Sequence, residues 1–120
     1  MADDHFFENL ERQREISITV TGRRSGRAIT IPVWFVHRDG ALWLLPVSGS
    51  ETQWYRNLME DGTIAIQAGE VRRKLGAISV TDAPAVSSVI QQFREKYGAE
   101  DIKRWYSRLD VAVKVPLEAA

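Results

Sequence analysis

Residues Gly22, Arg23, Arg24, Ser25, Gly26 and Arg27 place three guanidinium groups within five positions of a turn bounded by two glycines. Arginine offers a planar fork of donors that fits phosphate or carboxylate, and the glycines permit backbone conformations in which successive amides face one anion. The turn therefore predicts a receptor for a phosphorylated or polycarboxylate ligand; the plain alternative is a solvated hairpin tip. A second cluster is Trp54, Tyr55, Arg56 and Asn57. Adjacent aromatics on a helix point to different sides, so both cannot enter one core contact: Trp54 either packs with Leu58 or faces a site, and Tyr55 and Asn57 are expected to face one. Just before it, Pro46, Val47, Ser48, Gly49 and Ser50 bring a strand end to a helix N-terminus, where amides attract anions.

Other chemistries lack their residues. There is no Cys, which excludes disulfides, zinc-thiolate sites, iron–sulfur clusters and thiol nucleophiles. His5 and His37 are far apart and neither has a second His at ligand spacing, so no metal site is expected. The segment from Gly22 to Arg27 is not a P-loop, because no Lys followed by Ser or Thr comes after its second glycine. No nucleophile–base pair declares itself. If the chain is an enzyme, a bound cofactor carries the difficult chemistry and the protein supplies orientation and electrostatics.

The elements that would position these clusters are legible in the alternation of apolar residues. Ile16, Ile18 and Val20 form one face of a half-buried strand over 15–21. Residues 29–37 read as one long β-branched and aromatic strand, turned at Asp39-Gly40 into a second over 41–47. Both are apolar on two sides, which calls for a barrel or a sheet covered on its second face. Ser50 to Gln53 reads as a capping box opening a short helix that ends at Asp61-Gly62. Residues 63–68 and 76–82 alternate as strands, joined across Gly69-Glu70 by a basic segment, Val71 to Lys74. Asp82 and Pro84 open a helix carrying Val86, Val89, Ile90, Phe93 and Tyr97 up to Gly98. A short helix over 102–109 and a last strand bearing Val111, Val113, Val115 and Leu117 complete the order. The expected fold is α+β: a small split β-barrel of six to seven mostly antiparallel strands with two to four outer helices. It forms a single domain over 1–120, with residues 1–14 as an N-terminal helical extension.

Thr21 to Arg27, Ile31 to Val36, Leu44 to Ser50 and Trp54 to Leu58, taken in that order with a hairpin between, resemble the deazaflavin (F420)-dependent nitroreductase and quinone reductase family. That family lies in the flavin-binding split β-barrel superfamily, with the pyridoxamine-phosphate oxidases. The resemblance runs from about residue 15 to 117. It implies an oxidoreductase that binds coenzyme F420 in a groove and passes a hydride from its reduced form to a quinone, nitroaromatic or activated alkene. It assigns Arg23 and Arg24 to the cofactor's phosphodiester, with Ser25 and Gly26 shaping the turn. Pro32 and Trp34 would line the groove, Val47, Ser48 and Gly49 approach the cofactor, and Trp54 and Asn57 close the pocket. Tyr55, Trp105 and Tyr106 are the candidate acceptor-binding residues. Where many members of the family carry a Lys, this chain reads Val47 to Ser50, and it has Ile29 where a further basic residue is common. Flavin mononucleotide, with one phosphate, is thus the alternative cofactor, and a flavin or small-ligand binding protein without turnover the alternative function.

Sixteen basic and sixteen acidic residues cancel, which argues against nucleic acid as a partner. The acidic start, the absence of a long apolar run and the absence of Cys predict a soluble, unprocessed cytoplasmic protein without stable membrane insertion. Trp34 and Trp43 on nearly all-apolar strands offer more aromatic surface than one small barrel buries comfortably, which favours a homodimer.

Overall fold

In the computed structural model, which describes Leu10 and residues 13–117, the alternation of Ile16, Ile18 and Val20 with Ser17, Thr19 and Thr21 becomes strand β1 (Ile16–Thr21), its three apolar side chains fully enclosed. The basic turn leads into β2 (Ala28–Val33), which pairs antiparallel with β1 from Thr21–Ala28 to Ile16–Val33. Next come β3 (Val36–Arg38) and β4 (Ala41–Leu44), joined by Asp39 and Gly40, both at positive φ as a tight hairpin requires. After α1 (Gln53–Glu60) follow β5 (Thr63–Ala68), β6 (Val71–Gly76) and β7 (Ile78–Val80). Then α2 (Ala83–Tyr97), α3 (Ala99–Trp105) and β8 (Ala112–Pro116) close the chain.

The eight strands form two antiparallel four-stranded sheets, ordered β2-β1-β5-β6 and β3-β4-β8-β7. Their ladders do not join into one closed ring. Between the sheets lies the main core, with Ile16, Ile18, Val20, Leu42, Leu44, Ile64, Ile66, Val113 and Val115, closed at one end by Trp54, Tyr55 and Leu58 of α1. A second core fills the space between the outer face of β3-β4-β8 and the helices α2 and α3: Val36, Leu45, Val86, Val89, Phe93, Tyr97, Ile102 and Ala112. The two-sided apolarity of β4 is thereby explained. Leu42 and Leu44 point between the sheets, while Trp43 lies half-buried against the second core.

The structure keeps the α+β class and departs from the sequence reading in four places. The run over 29–37 is two strands in different sheets, because the chain crosses over at Trp34-Phe35. There the Tyr97 hydroxyl accepts the Phe35 amide at 3.0 Å and lies 2.9 Å from the Phe35 carbonyl, replacing ladder partners that the crossing removes. The basic segment from Val71 is itself a strand, with Val71, Arg73 and Leu75 turned inward and Arg72, Lys74 and Gly76 outward, and only Ile78–Val80 of the segment over 76–82 forms the next strand. These splits raise the strand count to eight. The Ser50 capping box is absent: α1 starts at Gln53 behind Thr52, without a side-chain cap. The helix expected over 102–109 runs instead from Ala99 to Trp105. By contrast Asp82 caps α2 as read, its carboxylate accepting the Ala85 amide at 3.1 Å. The extension expected over 1–14 lies outside the described residues, apart from Leu10, which is buried in the main core, and residues 13 and 14.

Candidate functional site

Two hollows lie side by side along β2 and the start of α1. The larger, about 430 Å³, is walled by Ile31, Pro32, Val33 and Trp34 from β2 and the crossover, Leu45 and Val47 from the segment after β4, Thr52 and Trp54 from the N-cap and first turn of α1, and Trp105 and Tyr106 from the C-terminal end of α3 and the residue that follows it. Glu15 is its one ionisable carboxylate. The smaller, about 280 Å³, is walled by Gly22, Arg23, Arg24, Ser25, Ile29, Gln53 and Asn57. Ile29, Ile31 and Val33 alternate along one face of β2, Ile29 bordering the recess and Ile31 and Val33 the chamber, so the two hollows are neighbours along that strand. Thr52 and Gln53 meet at their junction. An apolar, aromatic chamber thus adjoins a basic recess, the arrangement that suits a flat ring carrying an anionic tail.

Tyr97 holds the aromatic wall. Its ring stacks on Trp34 with centroids 4.3 Å apart and planes 5° from parallel, while Tyr106 meets Trp34 at 6.2 Å. The Arg14 guanidinium lies 5.0 Å from the Tyr97 ring and 5.7 Å from Trp34. Burial pushes the Tyr97 hydroxyl up to about 12, against the opposing hydrogen bond from Phe35 and the charge of Arg14. Burial, and after it Tyr97, also raises Tyr106. Both phenols therefore stay protonated at any physiological pH.

The lip of the chamber is the segment from Pro46 to Glu51, laced to the loop after α3. The Ser107 amide donates to the Val47 carbonyl at 2.8 Å, and Ser48 bridges to Arg108. Asp110 accepts the Ser50 amide at 2.9 Å and the Ser50 hydroxyl at 2.6 Å. Gly49 has φ +56° and a Cβ there would sit 2.0 Å from the Asp110 carboxylate, so no other residue fits. The Thr52 hydroxyl accepts the Ser48 amide at 2.8 Å, which is why it does not cap its own helix.

In the basic recess Arg23 is clamped. Asn57 Oδ1 accepts the Arg23 amide at 3.1 Å and its Nη1 at 2.8 Å; Gln53 Oε1 accepts Nη2 at 2.8 Å and the Gln53 carbonyl lies 3.5 Å from Nη1. Arg24 is exposed, and neither a hydrogen bond nor an ion pair ties its side chain to the described residues.

Of the residues singled out in the sequence, the chamber brings together Pro32, Trp34, Val47, Trp54, Trp105 and Tyr106, and the recess Arg23, Arg24, Ser25 and Asn57. Ser48, Gly49 and Gly26 line neither hollow. Tyr55 is buried in the main core, its hydroxyl 2.6 Å from that of Ser79. Sequence reasoning missed Glu15, Ile31, Val33, Leu45, Thr52, Gln53 and Tyr97. The apolar ones carry no signal that separates a cavity wall from a core contact, whereas Gln53, one turn before Asn57, was findable from helical spacing.

Comparison with known proteins agrees with this architecture. An F420-H2 dependent reductase, FDR-A, superposes with a TM-score of 0.67 at 19% identity, over 86% of this chain and 94% of that one. A chain described as a domain-swapped dimer gives 0.67 at 19% identity, over 96% and 99%. HutZ, the heme storage protein from Vibrio cholerae, gives 0.73 at 17% identity, over 98% and 90%. At these identities the likeness is one of fold. No curated protein matches. The model of the F420H(2)-dependent quinone reductase family matches residues 5–118, nearly the whole chain, and the protein belongs to that family of F420-dependent oxidoreductases.

Proposed function

We propose that this enzyme moves a hydride from reduced F420 to a quinone, with nitroaromatics and activated alkenes as further acceptors. The observation that carries the reading is the adjacency of the aromatic chamber and the basic recess along β2. The residues fit the cofactor: Arg24 and Arg23, in the turn shaped by Ser25 and Gly26, would hold its phosphodiester, while Pro32, Trp34, Val47 and Trp54 would offer apolar surface to its ring. F420 supplies the hydride when it is bound. Trp54 and Leu45 would exclude water from the bound ring, and Tyr106, holding its proton, would be a neutral hydrogen-bond donor to an acceptor in the chamber. Ser48 and Gly49 act at one remove by fixing the lip that carries Val47. Tyr55 acts on the packing of α1.

The test is oxidation of reduced F420 by a soluble quinone, followed by loss of deazaflavin fluorescence on addition of protein to the oxidised cofactor. The expected protein is colourless as purified, quenches F420 and turns over with the quinone. Flavin released on denaturation, with no response to F420, would overturn the reading in favour of flavin mononucleotide. Binding without turnover across quinones, nitroaromatics and activated alkenes would leave a carrier.

We place the enzyme in the cytoplasm as a homodimer. A neighbour of the same fold described as a domain-swapped dimer supports the assembly. No helix among the described residues is long and apolar enough to cross a membrane.

A further inference from the structure

Asn57, 5% exposed, is the one buried side chain among the described residues that is neither apolar nor aromatic. A buried amide is costly unless it is bonded, and its oxygen spends both lone pairs on Arg23. Gln53, one turn earlier on α1, adds two further acceptors. All the acceptors on Arg23 are neutral: two carboxamides and a peptide carbonyl. A guanidinium that merely braced a turn against a helix would be held more strongly by a carboxylate, at the expense of its outward charge. Neutral acceptors fix the plane of the guanidinium and leave its positive charge uncompensated. Two of its N–H donors also stay uncommitted, of the five that a guanidinium has. The neighbouring Arg24, exposed, lacks any such tether.

We propose that Asn57 is a positioning residue of the anion site, acting through Arg23, and that the adjacent arginines divide the work: Arg23 is a preset, charge-retaining wall of the recess and Arg24 the mobile arm that closes on the ligand's phosphate. The inference rests on the cofactor placement above. It explains why the turn carries two consecutive arginines that point differently, and why the helix facing it shows amides where acids would bind more tightly. A fixed cation lowers the ordering cost of anion capture, and a free one adapts to the tail.

The test measures the dissociation constant of oxidised F420 by fluorescence, together with Tm, at low salt. Asn57→Asp keeps the acceptor and cancels the charge, so it is expected to hold or raise Tm while weakening binding about tenfold, a loss that shrinks as salt is added. Gln53→Glu, at an exposed position that tolerates change, should weaken binding about threefold to fivefold with Tm unchanged. Asn57→Ala should weaken binding about fivefold in the wild-type background and by less than twofold in an Arg23→Ala background, since it acts through that residue. If Asn57→Asp and Gln53→Glu bind F420 within twofold of wild type, or Asn57→Ala costs the same in both backgrounds, Asn57 is a structural brace and the inference fails. Should Asn57→Asp not fold, Gln53→Glu decides alone. Wild type that does not bind F420 overturns the cofactor placement itself; wild type that binds, with the variants unchanged, overturns only this assignment.

Discussion

Asp110 governs the lip of the chamber from outside it. Burial raises its carboxyl, but hydrogen bonds from the Ser50 side chain and amide and from its own amide, with the charge of Arg108 3.3 Å away, outweigh that and hold it below its ordinary value. A depressed carboxylate contributes stability that is present above the unfolded pKa of about 3.9 and is lost as pH falls through the folded value. Asp110→Ala is therefore expected to cost about 1 kcal/mol at pH 7, a Tm drop of roughly 3–6 °C, with melting curves of variant and wild type converging below pH 4. A gap that persists unchanged at pH 3 would show that packing, not the charge, ties the lip. The two arginines of the recess separate in the same way. Arg24→Ala should weaken F420 binding about 10- to 100-fold with Tm intact, because nothing in the fold depends on it. Arg23→Ala should lose affinity and also lower Tm, because it removes one of the two donors to the buried Asn57 oxygen and leaves only the amide of residue 23 on it. Equal melting of the two variants would remove the distinction.

The crossover at Trp34-Phe35 sets how the sheets meet at the chamber, and the Tyr97 hydroxyl holds it together with Lys96, whose Nζ donates to the Phe35 carbonyl at 2.8 Å. Tyr97, at the last turn of α2, accepts the Phe35 amide and sits 2.7 Å from the Arg14 carbonyl, while its ring backs Trp34. Tyr97→Phe keeps the stacking and removes the partner of a buried amide, so it is expected to cost about 1–3 kcal/mol and to shift the Trp34 environment in near-UV circular dichroism. A variant as stable as wild type would mean that the crossover holds itself. Here the limit of the sequence is visible in physical terms. The run over 29–37 has a strand's composition throughout, and what breaks it lies 62 residues away, beyond any local window. The strand β6 was hidden because three of its inward and outward positions are basic, though Val71, Arg73 and Leu75 still alternate. Ser50 has the spacing of a capping box, yet its hydroxyl goes to Asp110, a competitor that only the fold brings near. Where the partner is local the sequence speaks: Asp39-Gly40, the alternation of β1 and the Asp82 cap are all as read. The site divides along the same line. Its charged turn and the helix bearing Trp54 and Asn57 stand out by type, whereas Ile31, Val33 and Leu45 look like any core residue until the cavity is seen.

For the whole molecule the question is where two copies would meet. The sequence points to Trp34 and Trp43, but Trp34 is covered by Tyr97 and Trp43 is half-buried against the second core, its indole N–H donating to the Arg38 carbonyl at 3.1 Å and Lys114 5.4 Å from its ring. Both are thus partly committed to packing within the chain. Apolar surface that remains exposed beside the chamber belongs to Trp105, 58% exposed, and Val47, 46% exposed, whose segments the Ser107 amide ties together at the lip. A two-fold contact through this rim would cover both and enclose each chamber with its partner. Wild type is thus expected to sediment at twice the 13.6 kDa of the chain. Because a two-fold contact is self-complementary, Trp105→Glu sets a charge close to its own copy and should yield monomers with Tm nearly unchanged, since so exposed a ring carries little of the fold. Trp43→Glu should do the opposite, lowering Tm by burying a charge against α2 while leaving the dimer intact in whatever remains folded. Sedimentation of wild type at 13.6 kDa at tens of micromolar would end the dimer proposal. A dimeric Trp105→Glu would move the interface away from the mouth and leave that indole to the acceptor.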